Sequence, residues 1–136
     1  RPRIMASILK VDDLRGNTAA GNITITSEGG SATMQLQQGV AKQWAKTNSA
    51  GTSIEDSNNT SSLTDNGAGD QTITMTNAMS NALYAVSIAN QTQNSCELFL
   101  RSSATATTTT VFRTGAYTDS AYSDCQIGSM AQGDLA

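Results

Sequence analysis

From Asn22 onward, apolar and polar side chains alternate with a period of two. In "NITITS", Ile23 and Ile25 alternate with Thr24 and Thr26. In "SATMQLQQG", Met34 and Leu36 alternate with Gln35 and Gln37, and in "VAKQWAKT" Val40, Lys42, Trp44 and Lys46 share one parity. Successive side chains of a β-strand point to opposite faces, so this spacing predicts strands with one drier face each. "SEGGS" predicts a turn between the first two, because glycine tolerates the positive φ of tight hairpins. Further strands are expected over "SSLT", "TITMT", "NALYAVSIANQ", "SCELFLRS", "TTTTVFRTGAY" and "SDCQIGSM", with "NSAGTSIEDSNNTSS" as a long polar connection. Eight or nine short strands with almost no helical periodicity predict an all-β chain. The expected form is an antiparallel β-sandwich or a jelly-roll-like domain, with a compact barrel as the variant.

The first residues break the pattern. "IMASILKVDDLRG" gathers Ile4, Ile8, Leu9, Val11 and Leu14, then stops at Gly16 and gives way to the small, polar "NTAAGN". Residues 1–21 therefore read as an N-terminal arm and linker, and residues 22–136 as the β domain. An extended arm is favoured over a short amphipathic helix because Ile and Val alternate with Lys10 and Asp12. Ile4, Ile8, Leu9, Val11 and Leu14 are the candidate attachment or oligomerisation residues.

Composition sharpens this picture. Ser, Thr, Asn and Gln make up about two fifths of the chain, whereas hydrophobic residues are 38% and charged residues 14%. So few charges argue against disorder, and the Thr-rich, Gly-punctuated polarity suits exposed antiparallel sheet. Only six aromatic side chains are present, which leaves a single copy short of large core anchors. Packing of three chains about an axis would supply the missing burial, so a homotrimer is expected. The net charge is −3 and the eight Lys and Arg form no stripe, so no nucleic-acid partner is expected. No apolar run is long enough to insert into a membrane as a helix.

The chain has no histidine, which removes imidazole bases and imidazole metal ligands. The carboxylate pairs Asp12–Asp13 and Glu55–Asp56 are strand neighbours that face opposite ways, which disfavours joint acid and base chemistry. Asp65 and Asp70 flank "NGAG", a spacing that matches no calcium loop and reads as a hairpin tip. No catalytic residue, metal or other cofactor is expected. Trp44 offers an indole face to a sugar ring, although a core position is the favoured reading. Tyr117 and Tyr122, in the loop-rich "RTGAYTDSAYSD", are candidate glycan contacts or neighbour-chain contacts. Cys96 and Cys125 are expected as reduced, buried thiols, with a bond between them as the alternative.

Three stretches resemble small phage virion fibre proteins of the tail-fibre type. They are the opening "MASILKVDDLRG", the middle "GVAKQWAKTNSAGTSIEDSNNTSSLTDNGAGDQTITMTNAMSNALYAVSIA" and the closing "GDLA". The similarity runs from Met5 to about Val86. Glu55 stands where those proteins commonly carry Arg, and Asn58 where they carry Phe. The resemblance implies a structural virion protein, made in the host bacterial cytoplasm. Its arm would join other tail or capsid proteins, and its trimeric β domain would contact a bacterial surface glycan or protein. Decoration of the capsid, or a head fibre, is the alternative role.

Overall fold

The structure is a computed structural model that describes residues 9–17, 23–27, 29–91, 95–101 and 106–136. It forms two compact units, residues 1–37 and 38–136. Within the first, residues 9–17 lie outside any strand, and Arg15 Nε contacts Asp13 Oδ2 at 2.5 Å. Strands β1 (Thr24–Thr26) and β2 (Thr33–Gln35) then pair antiparallel as the alternation predicts. Their turn is tied by Ser27 N to Ala32 O at 2.8 Å, and Gly30 takes a φ of 73°. The predicted strand over "SATMQLQQG" ends early, because its second half winds into one helical turn, α1 (Leu36–Gly39).

The second unit is an antiparallel β-sandwich. One sheet has the order β4 (Ile54–Asn58), β3 (Gln43–Thr47), β11 (Ile127–Gln132), β7 (Ala85–Asn90). The other runs β10 (Ala121–Tyr122), β9 (Val111–Thr118), β6 (Asp70–Met75), β5 (Thr60–Asp65). Strand β8 (Glu97–Leu100) also pairs with β9, on the edge opposite β6. Strand β4 lies inside the stretch expected to be a polar connection. Its "IEDSN" carries little apolar signal because this edge strand is mostly exposed.

Two clusters hold the sheets together. Ile73, Met75, Met79, Phe112 and Ala131 form the larger, with Leu63, Tyr84, Val86 and Leu135 packed against it. Ala116, Cys125 and Ile127 form the smaller, joined by Ile88, Cys96 and Leu98. Both draw side chains from both sheets, which is what makes the two layers one sandwich. The interior also takes in polar groups. Gln43, Thr47, Gln71, Thr114 and Ser129 are buried, and the hydroxyl of Thr47 accepts from Ile127 N at 3.0 Å. A thin apolar supply is thus supplemented by buried hydroxyls that bond to the backbone and by two glutamine amides; Gln43 donates to Thr60 Oγ1 at 3.0 Å, whereas the Gln71 amide has no hydrogen-bond partner among the described residues.

The first passage from one sheet to the other, β4 to β5, takes a single residue. Asn59 separates β4 from β5 and takes a φ of 53°, a conformation Asn tolerates better than most residues. Its side-chain amide donates to Lys42 O at 2.9 Å and to Asn77 O at 3.2 Å, while its carbonyl accepts from Asn77 N at 2.7 Å. These bonds fix the corner where the two layers meet.

The cysteines correct the sequence reading, for Cys96 and Cys125 are joined in a disulfide with their Cα atoms 6.7 Å apart. Cys96 immediately precedes β8, whose Leu98 packs against Ala116, Cys125 and Ile127. That packing delivers the two thiols to bonding range. A redox argument from composition carries no information about such proximity. Among the described residues no helix is long and apolar enough to cross a membrane.

Candidate functional site

The hairpin β5–β6 folds as expected, and its tip initiates a polar cluster on the outer face of its sheet. Asp65 Oδ1 accepts from Gly67 N at 2.8 Å, and Asp70 N donates to Gly67 O at 2.9 Å. Gly69 takes a φ of 63° and has no room for a side chain. A Cβ there would strike the backbone oxygen of Ala116 and come within 2.7 Å of Ser123 N. The hairpin tip is thereby clamped against β9 and β10. Asp65 and Asp70 do not converge on one point. Asp65 caps its own turn, whereas Asp70 turns to the outer face, where β9 brings a guanidinium beside it.

Parity defines that face. Gln71, Ile73 and Met75 of β6 point inward, as do Phe112, Thr114 and Ala116 of β9. Asp70, Arg113, Gly115 and Tyr117 therefore point outward, as do Glu97, Phe99 and Arg101 along and just beyond β8. The registers align them: Phe99 and Asp70 both face Gly115, Glu97 and Tyr122 both face Tyr117, and Arg101 N donates to Arg113 O at 2.9 Å. Gly115 carries no side chain because the Phe99 ring lies over it, where a Cβ would collide with that ring.

The electrostatics centre on Asp70, whose side chain is only 9% exposed. Arg113 donates to it twice, Nε to Oδ1 at 2.6 Å and Nη2 to Oδ2 at 2.5 Å. Arg101 Nε lies 3.1 Å from Oδ2 as a second ion pair, and Asn66 Nδ2 adds a longer bond at 3.4 Å. The hydrogen bonds from Arg113 hold the carboxyl below its ordinary range, against the opposing effect of burial, with the Arg101 charge contributing in the same direction. The same pairing raises Arg113. Above the ion cluster, the Arg101 guanidinium sits 4.7 Å from the centroid of Tyr122 and 5.8 Å from that of Phe99, within cation–π range. Tyr117 meets Tyr122 edge-on at 5.4 Å. The result is a platform of three rings and two guanidinium groups around one saturated carboxylate.

Trp44 lies on the other sheet and corrects the favoured core reading. Gln43, Ala45 and Thr47 are the buried parity of β3, so Trp44 and Lys46 face outward. The indole is 37% exposed and stands beside Met130, its partner on β11. Gly128, Ser87 and Ala89 leave the neighbouring rows low, and a trough of about 440 Å³ opens there. Lys46 pairs with Glu55 at 2.9 Å at its rim. Trp44 is thus not brought together with Tyr117 and Tyr122.

Of the arm residues, Leu9, Val11 and Leu14 are all at least half exposed and belong to no strand, while Ile4 and Ile8 lie outside the described residues. Phe99, Arg101 and Arg113 were missed as site residues, since the two arginines look scattered in sequence, and Asp70 was weighed only as a calcium ligand or a hairpin-tip residue. The alternating triplets Glu97, Phe99, Arg101 and Arg113, Gly115, Tyr117 were the available signal. Compared with protein-family models, with curated proteins and with solved structures, the chain matches none.

Proposed function

We propose that this chain is a non-catalytic structural protein of the virion tail-fibre type. Residues 1–21 attach it to other virion proteins, and the β-sandwich, as a homotrimer, contacts a glycan or protein on a bacterial surface. The observation that carries the reading is the outer platform, where Phe99, Tyr117, Tyr122 and Arg101 gather at one place on the outer face. Rings and guanidinium groups are the side chains most enriched where proteins hold partners. Attachment through the arm is supported by the exposure of Leu9, Val11 and Leu14. Burying such a side chain contributes roughly 1.5 to 3 kcal/mol. Three linked platforms would multiply a weak individual contact by avidity.

The test has two arms. Molar mass in solution is expected to give a trimer for the whole chain and a smaller species without residues 1–15. A monomer in both would remove the assembly role. Labelled protein at multivalent density is expected to bind bacterial envelopes from a strain panel, and binding to none would remove the adhesive role. Decoration of a capsid is the second reading, favoured by the Trp44–Met130 trough, which a neighbouring subunit would cover. Positions of the copies in the particle, on the tail or in an icosahedral array, separate the two.

A further inference from the structure

We infer that Arg101, with the rings of Tyr122 and Phe99, forms a subsite for the carboxylate of an acidic sugar, a hexuronate unit of a surface polysaccharide. The inference rests on the adhesive reading and names its ligand class.

Charge comes first. Arg101 and Arg113 bring two positive charges to one carboxylate, so the cluster has a local excess of +1 on a chain whose net charge is −3. Hydrogen-bonding capacity points the same way. Asp70 is nearly buried and already engaged by both arginines and Asn66, so its acceptor capacity is turned inward. Among the described residues, Arg101 makes no hydrogen bond through its terminal nitrogens, which therefore offer donors to a ligand. Donors without matching acceptors select an acceptor-rich group, and the flat guanidinium fork matches a planar carboxylate with two parallel bonds.

Shape supplies the sugar. Tyr122 is 49% exposed and Phe99 is 37% exposed, so apolar ring surface lies beside the guanidinium. A pyranose has apolar C–H faces next to its polar substituents, and a hexuronate carries its carboxylate on that same ring. Glu97 bounds the subsite. It shares the outer face with Arg101, its Cα about 13 Å back along the strand, and it stands opposite Tyr117, on whose other side Tyr122 lies. A bound carboxylate is drawn toward Arg101 and repelled from Glu97, which sets one orientation.

The test measures binding of the full-length protein to three oligosaccharides by calorimetry: an oligogalacturonate, its carboxyl-reduced neutral counterpart, and a sulfated neutral oligosaccharide. The expected result is binding of the uronate at least tenfold tighter than of either other probe. R101Q and R101K should each lose most of that preference, Y122A should weaken binding, and K46Q on the other sheet should leave it unchanged. Circular dichroism of each variant confirms that the sheet is intact. Equal binding of the uronate and its reduced form would overturn the carboxylate assignment. No oligosaccharide binding by a protein that still adheres to bacterial envelopes would overturn the inference alone. Uronate binding by a protein that adheres to no envelope would uphold it and overturn the adhesive reading.

Discussion

Reduction of the Cys96–Cys125 bond tests the packing directly. The bond joins residues separated by 29 positions and pins the start of edge strand β8, which among the described residues pairs with β9 alone, to the segment leading into β11 of the opposite sheet. Cross-linking removes conformational entropy from the unfolded chain. For a loop of this length the loss is about 12 cal/mol/K, or about 3.5 kcal/mol at 25 °C. Domains of this size have total stabilities of only about 5 to 15 kcal/mol, so the bond supplies a large share. With a urea m-value of about 1.5 to 2 kcal/mol/M, the unfolding midpoint should fall by about 2 M on reduction. The assay is urea unfolding followed by Trp44 fluorescence and by far-ultraviolet circular dichroism, with and without reductant, and repeated on C96S/C125S. Thiol counting by mass spectrometry fixes the redox state in each sample. Two free thiols in protein purified without reductant would refute the pairing. Coincident midpoints for oxidised and reduced protein would refute the view that β8 depends on this link.

Three further predictions follow from the same geometry. G69A should lose more than about 2 kcal/mol in urea unfolding, since the left-handed conformation alone costs a side chain about 1 to 2 kcal/mol and the Ala116 and Ser123 backbones must also move. G30A, with open space around it, should lose only the conformational part. For Asp70 the folded carboxyl is held below its unfolded value near 3.9, so its stabilisation is complete above that pH and is lost as pH falls through the folded value. D70N should therefore cost about 1.5 to 3 kcal/mol at neutral pH, and its unfolding curve should converge with the unsubstituted protein's in acid. Burial raises the Tyr84 phenol to about 12 while its hydroxyl donates to Val111 O at 2.7 Å. Its contribution is complete below pH 10 and disappears between about 10 and 12. Ultraviolet difference absorbance should show one tyrosine ionising late, and Y84F should remove that phase.

Much of the architecture could be read in the chain because period two survives wherever one face is dry. Strand β11 alternates throughout, and β6 and, up to Tyr117, β9 do so except at Asp70 and Gly115, which are covered on the outer face; turn chemistry located both the turn between β1 and β2 and the tip of β5–β6. The alternation misled at β3, where the buried parity is Gln43, Ala45 and Thr47 and the exposed one holds Trp44. Hydrophobicity assigns that strand's faces backwards, because the interior here takes in polar side chains: the Thr47 hydroxyl accepts from Ile127 N on the neighbouring strand, and the Gln43 amide donates to Thr60 Oγ1 of the opposite sheet. Strand β4 was hidden for the related reason that an exposed edge strand needs no apolar side chains. The two tyrosines were legible as candidates. Their partners were not: Arg101, Arg113 and Asp70 are joined only by the registers of β8 and β6 on β9, and register is a property of the folded sheet.

The neighbouring position of β3 and β11 governs how this sandwich would bear load. Gln43 at the start of β3 faces Ala131 near the end of β11, and Gln38 is bonded to Asp134, so the first and last residues of this unit leave from the same end. That end holds the Met79–Phe112–Ala131 cluster. Tyr117 and Phe99 lie toward the other end, beside the Ala116–Cys125–Ile127 cluster. Pulling the two termini apart would peel β3 from β11 one hydrogen bond at a time. Tension between residue 38 and the platform runs instead along the strands and stretches many bonds of each ladder together. The same fold is therefore weak as a hinge and strong as a tether, and its strong direction lies between the point where the chain enters the sandwich and its ring-bearing face.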